Sequence, residues 1–313
     1  MHDGPGVRTT VFFKGCPLRC VWCHNPEMQK SEQELLFFKN KCISCRLCAS
    51  CSAHSFDGGK HSIDREKCVS CGKCAAVCPR RCHVLDPDGH IFSRERCTGC
   101  GLCASACLPE ALALCGKSYS VTALLREVLK DKPFYDSSGG GVTLSGGEPM
   151  SQFDFLLEFC RRAKEEKLHV AMETCGFAPR EHYRKILPFI DLFLFDVKSC
   201  DEEKHKTLTG QERGLILENL RFLDREGKKI RLRCPLVPGV NDSERELAGI
   251  AELAESLRNA EGIDIEPYHP MGASKARRLG MEKVFELPFS PEEVWRRQLD
   301  FIAARTSLPV TKS

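Results

Sequence analysis

A chain of 313 residues, 42% of them hydrophobic, can bury a full core and has length for one large domain plus an insertion. Its charged residues, 28% of the chain and a formal +3, are interspersed rather than blocked into tails, which argues against a nucleic-acid partner. No window nears the roughly 18 to 20 apolar residues of a membrane span, and residues 1–6 form no signal peptide, so no membrane is expected and the cytoplasm is the expected compartment. Reducing compartments disfavour disulfides, so the 21 cysteines read as metal ligands. Their spacing agrees, since 15 of them fall into four runs with two or three residues between neighbours.

In chain order, a strand-like run at 9–13 leads into Cys16-Pro17-Leu18-Arg19-Cys20-Val21-Trp22-Cys23. The loop offers three thiolates. A structural zinc site closes four ligands, whereas a 4Fe-4S cluster on three cysteines leaves one iron open to a small molecule.

Between Cys42 and Cys107 a unit repeats: Lys41-Cys42-Ile43-Ser44-Cys45, Lys67-Cys68-Val69-Ser70-Cys71 and Arg96-Cys97-Thr98-Gly99-Cys100 start 26 and 29 residues apart. Such a period marks a supersecondary unit copied in place. Cys68, Cys71, Cys74 and Cys78-Pro79, with Cys97, Cys100, Cys103 and Cys107, fit the two-cluster ferredoxin spacing, in which the fourth cysteine crosses to the other cluster. One cluster is expected on Cys68, Cys71, Cys74 and Cys107, and another on Cys97, Cys100, Cys103 and Cys78. Zinc knuckles are the alternative for any single run. Cys42, Cys45, Cys48 and Cys51 depart from the pattern, with two residues before the last cysteine and no proline after it. Either a third cluster forms there, or one run is vestigial and the pairing differs, with Cys82 as a substitute ligand.

Beyond Gly116 strands and helices alternate. Val121, Leu124, Leu125, Val128 and Leu129 recur at helical spacing behind a Ser120 cap, and amphipathic helices are expected near 153–166, 218–226 and 243–259. Ser243 with Glu246, and Ser290 with Glu293, read as capping boxes, the second with Pro291 at the first helical position. Strand-like runs at 142–145, 169–173, 190–195, 230–234 and 263–268 join the one at 9–13. Such alternation implies a parallel sheet with right-handed crossovers. The fold expected is α/β: a partial (β/α)6 TIM-like barrel over residues 1–38 and 116–313, with a ferredoxin-like iron-sulfur domain inserted at 39–115. Its chemistry belongs at the C-terminal strand ends.

Several residues sit at those ends. Gly146-Gly147 lets backbone approach a ligand closely, though a tight turn explains it equally well in isolation. Asp196 and Lys198 flank one residue and share a face, where a surface ion pair is the alternative to ligand binding. His269 follows the last of the six runs, and a lone histidine there is more often structural.

The wider sequence resembles a known family. The CxxxCxxC loop is the signature of the radical S-adenosylmethionine enzymes, and the words around it narrow the resemblance: Asp3-Gly4-Pro5-Gly6-Val7-Arg8, Trp22-Cys23-His24-Asn25-Pro26, Ser145-Gly146-Gly147-Glu148-Pro149, Glu173-Thr174-Cys175-Gly176, Asp196-Val197-Lys198 and Pro238-Gly239-Val240-Asn241-Asp242. These are similar to the glycyl radical enzyme activating enzymes, over most of the chain. The resemblance implies a 4Fe-4S cluster on Cys16, Cys20 and Cys23 that chelates S-adenosylmethionine, with two or three additional clusters in the insertion. It implies that Gly146, Gly147 and Glu148 hold the methionine amino group. It also implies that Trp22, His24, Asp196, Lys198 and His269 surround the rest of the cofactor, and that Arg233 steadies the cofactor or the partner's target loop. The implied activity is cleavage of the cofactor to a 5'-deoxyadenosyl radical that abstracts hydrogen from one glycine of a partner glycyl radical enzyme. A flavodoxin or ferredoxin would supply the electron, and the chain would act as a monomer. Family members carry a short stretch ahead of Asp-Gly-Pro-Gly, so a preceding segment is expected. Two other activities fit parts of the sequence: a radical enzyme acting on another peptide or a small molecule, and a ferredoxin-type electron-transfer protein. The second leaves the CxxxCxxC loop and the αβ repeat without work.

Overall fold

A computed structural model describes residues 3–43, 54–57, 60–63, 77–86, 89–107 and 110–313. The chain divides into two compact units, Met1–Ser31 with Ser118–Ala273 and Phe285–Ser313, and Glu32–Lys117 with Ser274–Val284. Residues 274–284, which sequence spacing groups with the barrel, thus fall in the second unit.

The first unit is built on one parallel sheet whose strands lie side by side in sequence order. They are β1 (Arg8–Phe13), β2 (Gly141–Gly146), β3 (His169–Thr174), β4 (Leu192–Asp196), β5 (Ile230–Leu236), β6 (Ala260–Pro267) and β7 (Val310–Lys312). Six coincide with runs legible in the sequence. β7 is an additional edge strand, too short to register as a periodic pattern. Helices fill every crossover from β2 onward, as parallel neighbours require.

Successive strand residues point to opposite faces. In β4, Phe193 and Phe195 turn toward the helices and join Val142, Leu144, Val170, Met172, Leu232, Ile263 and Ile265 in the main apolar core. Leu192 and Leu194 pack instead with Ala171 in a separate cluster. Asp196 shares the parity of that second pair, so the strand end presents a carboxylate to the interior face.

Local chemistry sets the helix starts. Ser120 Oγ accepts from Ala123 N at 3.2 Å, capping helix Val121–Leu129 as expected. Ser243 Oγ accepts from Glu246 N at 3.4 Å, but the Glu246 carboxylate takes Ser199 Oγ (2.8 Å) and Cys200 N (2.6 Å), so this capping box is one-sided. The second box does not form. Helix Glu292–Ala303 has Pro291 as its N-cap, in extended backbone, and no side chain caps it. Ser290 N is held by Tyr268 O at 3.0 Å, which starts the helix one residue late and leaves the buried Ser290 Oγ without a hydrogen bond among the described residues. Ser290→Ala is therefore expected to be neutral or stabilising by up to about 1 kcal/mol in denaturant titration, since it removes an unsatisfied hydroxyl.

Among the described residues of the second unit three antiparallel strand pairs occur, Glu34–Phe37 with Leu112–Cys115, His54–Asp57 with Lys60–Ile63, and His83–Asp86 with Gly89–Phe92. Its small core gathers Leu35, Cys103 and Leu112, with Cys97 and Cys107 packed against them.

Candidate functional site

The loop after β1 is pinned from several sides. Gly15 N and Cys16 N donate to Met28 O (2.8 Å) and Gln29 O (3.0 Å), while Arg19 N and Val21 N donate to Thr209 O (2.7 Å) and Leu208 O (2.9 Å). Leu18 and Trp22 are buried, Trp22 against Val237 and Tyr268. The result is that Cys16, Cys20 and Cys23 all face one cavity of about 120 Å³ at the C-terminal strand ends. Trp22, His24, Gly146, Gly147, Asp196 and Lys198 line the same cavity.

Two glycines make the second wall. Gly146 has φ +117°, and a Cβ there would lie 2.3 Å from Phe13 N; a Cβ on Gly147 would lie 2.4 Å from both Gly15 O and Met28 O. Gly147→Ala is accordingly expected to displace the cysteine loop and destabilise the fold by about 1–3 kcal/mol, read by anaerobic thermal unfolding with the iron content of the same sample.

The third wall is charged. Lys198 Nζ lies 3.0 Å from Asp196 Oδ2 in a pair that is nearly buried, not at the surface. Burial disfavours the ammonium, but Asp196, Cys20 and Glu266 outweigh it and hold Lys198 protonated. Burial pushes Asp196 up to about 7 against the pull of Lys198, with Glu173 and Glu266 adding to the rise. Asp196 Oδ1 is buried and makes no hydrogen bond among the described residues.

Arg233 does not line the cavity. It is 5% exposed and donates from Nε to Glu266 Oε1 at 2.5 Å, with Glu173 Oε1 at 3.8 Å and Asp3 Oδ1 at 3.4 Å. Burial opposes its charge, yet Glu173 and Glu266 keep it protonated. Glu173 and Glu266 do line the cavity. Sequence reasoning missed both, although charged residues at C-terminal strand ends were a usable signal.

Glu148 is also outside the lining, fully buried, and accepts from Thr174 Oγ1 (3.0 Å), Cys175 N (2.8 Å) and Met150 N (3.1 Å). His269 stands behind His24, the two rings stacked at 4.1 Å. Cys175, unforeseen as a site residue, lines the cavity beside Cys16.

The thiols differ. A hydrogen bond from Cys175 lowers Cys16 despite burial, whereas burial pushes Cys20 up to about 12 and also raises Cys23. Among the described residues no three His, Cys, Asp or Glu side chains converge as one metal ion requires. A cluster's thiolates bind different irons and need not share a point, so three thiols around one cavity fit a cluster. The unsatisfied Asp196 Oδ1 and the glycine wall fit a small polar ligand beside it.

In the second unit, Cys78, Cys97, Cys100 and Cys103 are electrostatic neighbours, and burial pushes Cys103 up to about 12. Cys82 N donates to Cys78 Sγ at 3.3 Å, which puts Cys82 beside that group too. Cys42 follows a short 3-10 turn and Cys107 packs in the small core. Cys45, Cys48, Cys51, Cys68, Cys71 and Cys74 lie outside the described residues.

Comparison with known proteins adds three matches to family models: the radical SAM superfamily over residues 94–249, a 4Fe-4S single cluster domain over 2–43 and a 4Fe-4S binding domain over 61–82. The choline trimethylamine-lyase activating enzyme of Oleidesulfovibrio alaskensis is 41% identical over 91% of this chain and 86% of its own length. The trans-4-hydroxy-L-proline dehydratase activating enzyme of Clostridioides difficile is 41% identical over 88% and 83%. Among solved structures, Streptococcus suis SuiB bound to S-adenosylmethionine superposes with a TM-score of 0.51 at 13% identity, over 63% of this chain and 44% of that one, which is a likeness of fold alone.

Proposed function

We infer the reaction from one premise: this chain belongs to the radical S-adenosylmethionine superfamily and, within it, to the activating enzymes of glycyl radical enzymes. It is an oxidoreductase whose substrate is a partner glycyl radical enzyme. When bound, the 4Fe-4S cluster and S-adenosylmethionine supply a reductive cleavage whose 5'-deoxyadenosyl radical takes hydrogen from one glycine of that partner. The observation that carries this activity to the site is the facing of Cys16, Cys20 and Cys23 into one cavity.

Those three thiolates would hold three irons of the cluster. Asp196 Oδ1, buried and unsatisfied, is suited to accept from an amino group, and Lys198 to meet a carboxylate. Glu173 and Glu266 give this wall a negative bias that suits a cationic sulfonium, and Arg233 holds both in place. Trp22 and His24, backed by Tyr268 and His269, close the other side against water. Glu148 acts on the cofactor indirectly, by tying Thr174 and Cys175 to the glycine wall. No residue is needed as acid or base, because a hydrogen atom rather than a proton is transferred.

The test is isotopic. Deuterium on the partner's glycine should appear in 5'-deoxyadenosine, with choline trimethylamine-lyase and trans-4-hydroxy-L-proline dehydratase as first partners to try. Cleavage without transfer to any partner in the panel would favour another peptide or a small molecule as substrate.

We further assign residues 39–115, within the second unit, as an inserted ferredoxin-like domain carrying two or three 4Fe-4S clusters, and the first unit as the barrel. The gathering of Cys97, Cys100, Cys103 and Cys78 supports one of these clusters, and the 4Fe-4S binding domain match over 61–82, which covers Cys68, Cys71 and Cys74, supports another. Iron analysis of reconstituted protein decides the number, about twelve atoms per chain for two inserted clusters and about sixteen for three. The clusters would relay an electron from a flavodoxin or ferredoxin. The chain would work as a cytoplasmic monomer; among the described residues no helix is long and apolar enough to cross a membrane.

A further inference from the structure

The turn Pro238-Gly239-Val240-Asn241-Asp242 lies just past β5 and is fixed from within and from outside. Val240 N donates to Val237 O at 3.0 Å, Gly239 N donates to Asp242 Oδ1 at 2.8 Å, and Asp242 Oδ2 accepts from the buried Gln298 Nε2 at 3.0 Å. Asn241 itself is 2% exposed, and its side chain makes three hydrogen bonds. Oδ1 accepts from Val237 N at 2.7 Å, while Nδ2 donates to Pro235 O at 2.7 Å and to Lys198 O at 2.9 Å. Only one orientation of the amide is possible, because reversing it would set its oxygen against two carbonyls and its NH2 against an N–H. All three partners belong to the cavity wall. Pro235 and Lys198 line the cavity, and Val237 packs against Trp22, which lines it too. Lys198 lies two residues past the end of β4, beyond the bond from Val197 N to Arg233 O at 2.8 Å. Ser199 Oγ and Cys200 N, the next groups along, are tied to Glu246 of helix Glu244–Glu255. Between these anchors the Lys198 carbonyl is held by Asn241.

We propose that Asn241 is a positioning residue for S-adenosylmethionine binding, acting by fixing the main chain of Lys198 so that its ammonium is set beside Asp196 in the cavity wall. The physical cause is preorganisation. A long lysine side chain gathered from many positions meets its ordering cost at the moment of binding, whereas one whose backbone is already fixed meets less of it then. Lys198 Nζ stands 3.0 Å from Asp196 Oδ2, and a displacement of about 1 Å in the peptide that carries it is enough to spoil such a geometry. Asn241 does not line the cavity, so it reaches the cofactor only through the groups it holds. This rests on the reading of the cavity as the S-adenosylmethionine site.

The measurement is equilibrium dialysis of radiolabelled S-adenosylmethionine against full-length, anaerobically reconstituted protein without reductant, so that binding is read apart from turnover. Asn241→Ala removes all three bonds, and Asn241→Asp keeps the acceptor for Val237 N but loses both donors. Both are expected to weaken binding about ten- to thirtyfold at unchanged iron content. Asp224→Ala removes a buried acceptor of Arg258 N and Asn259 N at the opposite ends of the strands, controls for general destabilisation, and should bind as the parent does. Lys198→Ala tests the route, since with the lysine gone Asn241→Ala should weaken binding by less than about threefold more. Parent affinity in either Asn241 variant overturns the proposal. So does a drop in iron content, a matching loss in Asp224→Ala, or a full further loss in the double variant. If neither Asn241 variant folds, hydrogen exchange over residues 196–200 of the parent decides: protection present before the cofactor is added is expected, and protection that arises only on binding overturns the proposal. A parent with full iron that does not bind, or a Lys198→Ala variant that binds as the parent does, overturns the reading of the site itself, which tells the two failures apart.

Discussion

Replacement of Cys16, Cys20 and Cys23 by alanine together is expected to bring 5'-deoxyadenosine formation down to the level of buffer with reductant, and to remove about four irons per chain. The expectation follows from the cavity, where the three thiols share one wall and the loop holding them is fixed by four backbone hydrogen bonds to segments outside it. Ligands that act as a unit are not additive. Each single alanine variant should therefore lose as much activity as the triple one. A single variant that keeps a tenth or more of the parent's turnover would show that a neighbour can replace the missing ligand, and Cys175 is the thiol placed to do so. Circular dichroism should be unaffected, because the apolar core lies on the helix side of the sheet.

Arg233→Leu is the second large effect, and it acts on the fold and the site together. The guanidinium is almost fully buried and meets Glu266, Glu173 and Asp3 from its place on β5. Removing it leaves those carboxylates facing one another without their buried guanidinium, with Lys198 the cation still acting on Glu266, and loss of one partner costs about 3–5 kcal/mol in pairs of this kind. Burial already raises Glu266 above the ordinary carboxylate range, and Arg233 works against that rise. Loss of Arg233 raises it further. The penalty falls on the ionised form, so it is fully present at neutral pH and shrinks as pH falls and the carboxyls take up protons. Urea unfolding of parent and variant at pH 7.5 and 5.5 checks this, the gap in stability being expected to narrow at the lower pH. A gap that stays constant would mean that the carboxylates are already neutral in the parent. At neutral pH cofactor cleavage should fall as well, since Glu173 and Glu266 line the cavity.

Sequence alone carried a good deal of this site. The three-thiol loop, the Gly146-Gly147 turn and the Asp196, Lys198 pair all prove to face one cavity, since each is written in consecutive residues at the end of a strand whose apolar alternation is legible. Where a local signal competed with tertiary contacts it misled. Ser290 and Glu293 have capping-box spacing, but Tyr268 O takes the Ser290 amide and Pro291 becomes the cap. Glu148 reads as a ligand from its place in Gly-Gly-Glu-Pro, yet its carboxylate is spent on Thr174 and the Cys175 amide.

What the sequence determined by itself is therefore what spacing along the chain encodes: the cysteine runs, the αβ alternation that makes a parallel sheet, and the residues at its strand ends. Only the tertiary structure decided which of those residues meet. Arg233 reaches Asp3 across 230 positions and Glu266 across 33, and Cys175 joins Cys16 in one cavity from the end of another strand. The physical reason is that sheet register and loop closure set these encounters, and both depend on the packing of the whole unit rather than on any local pattern.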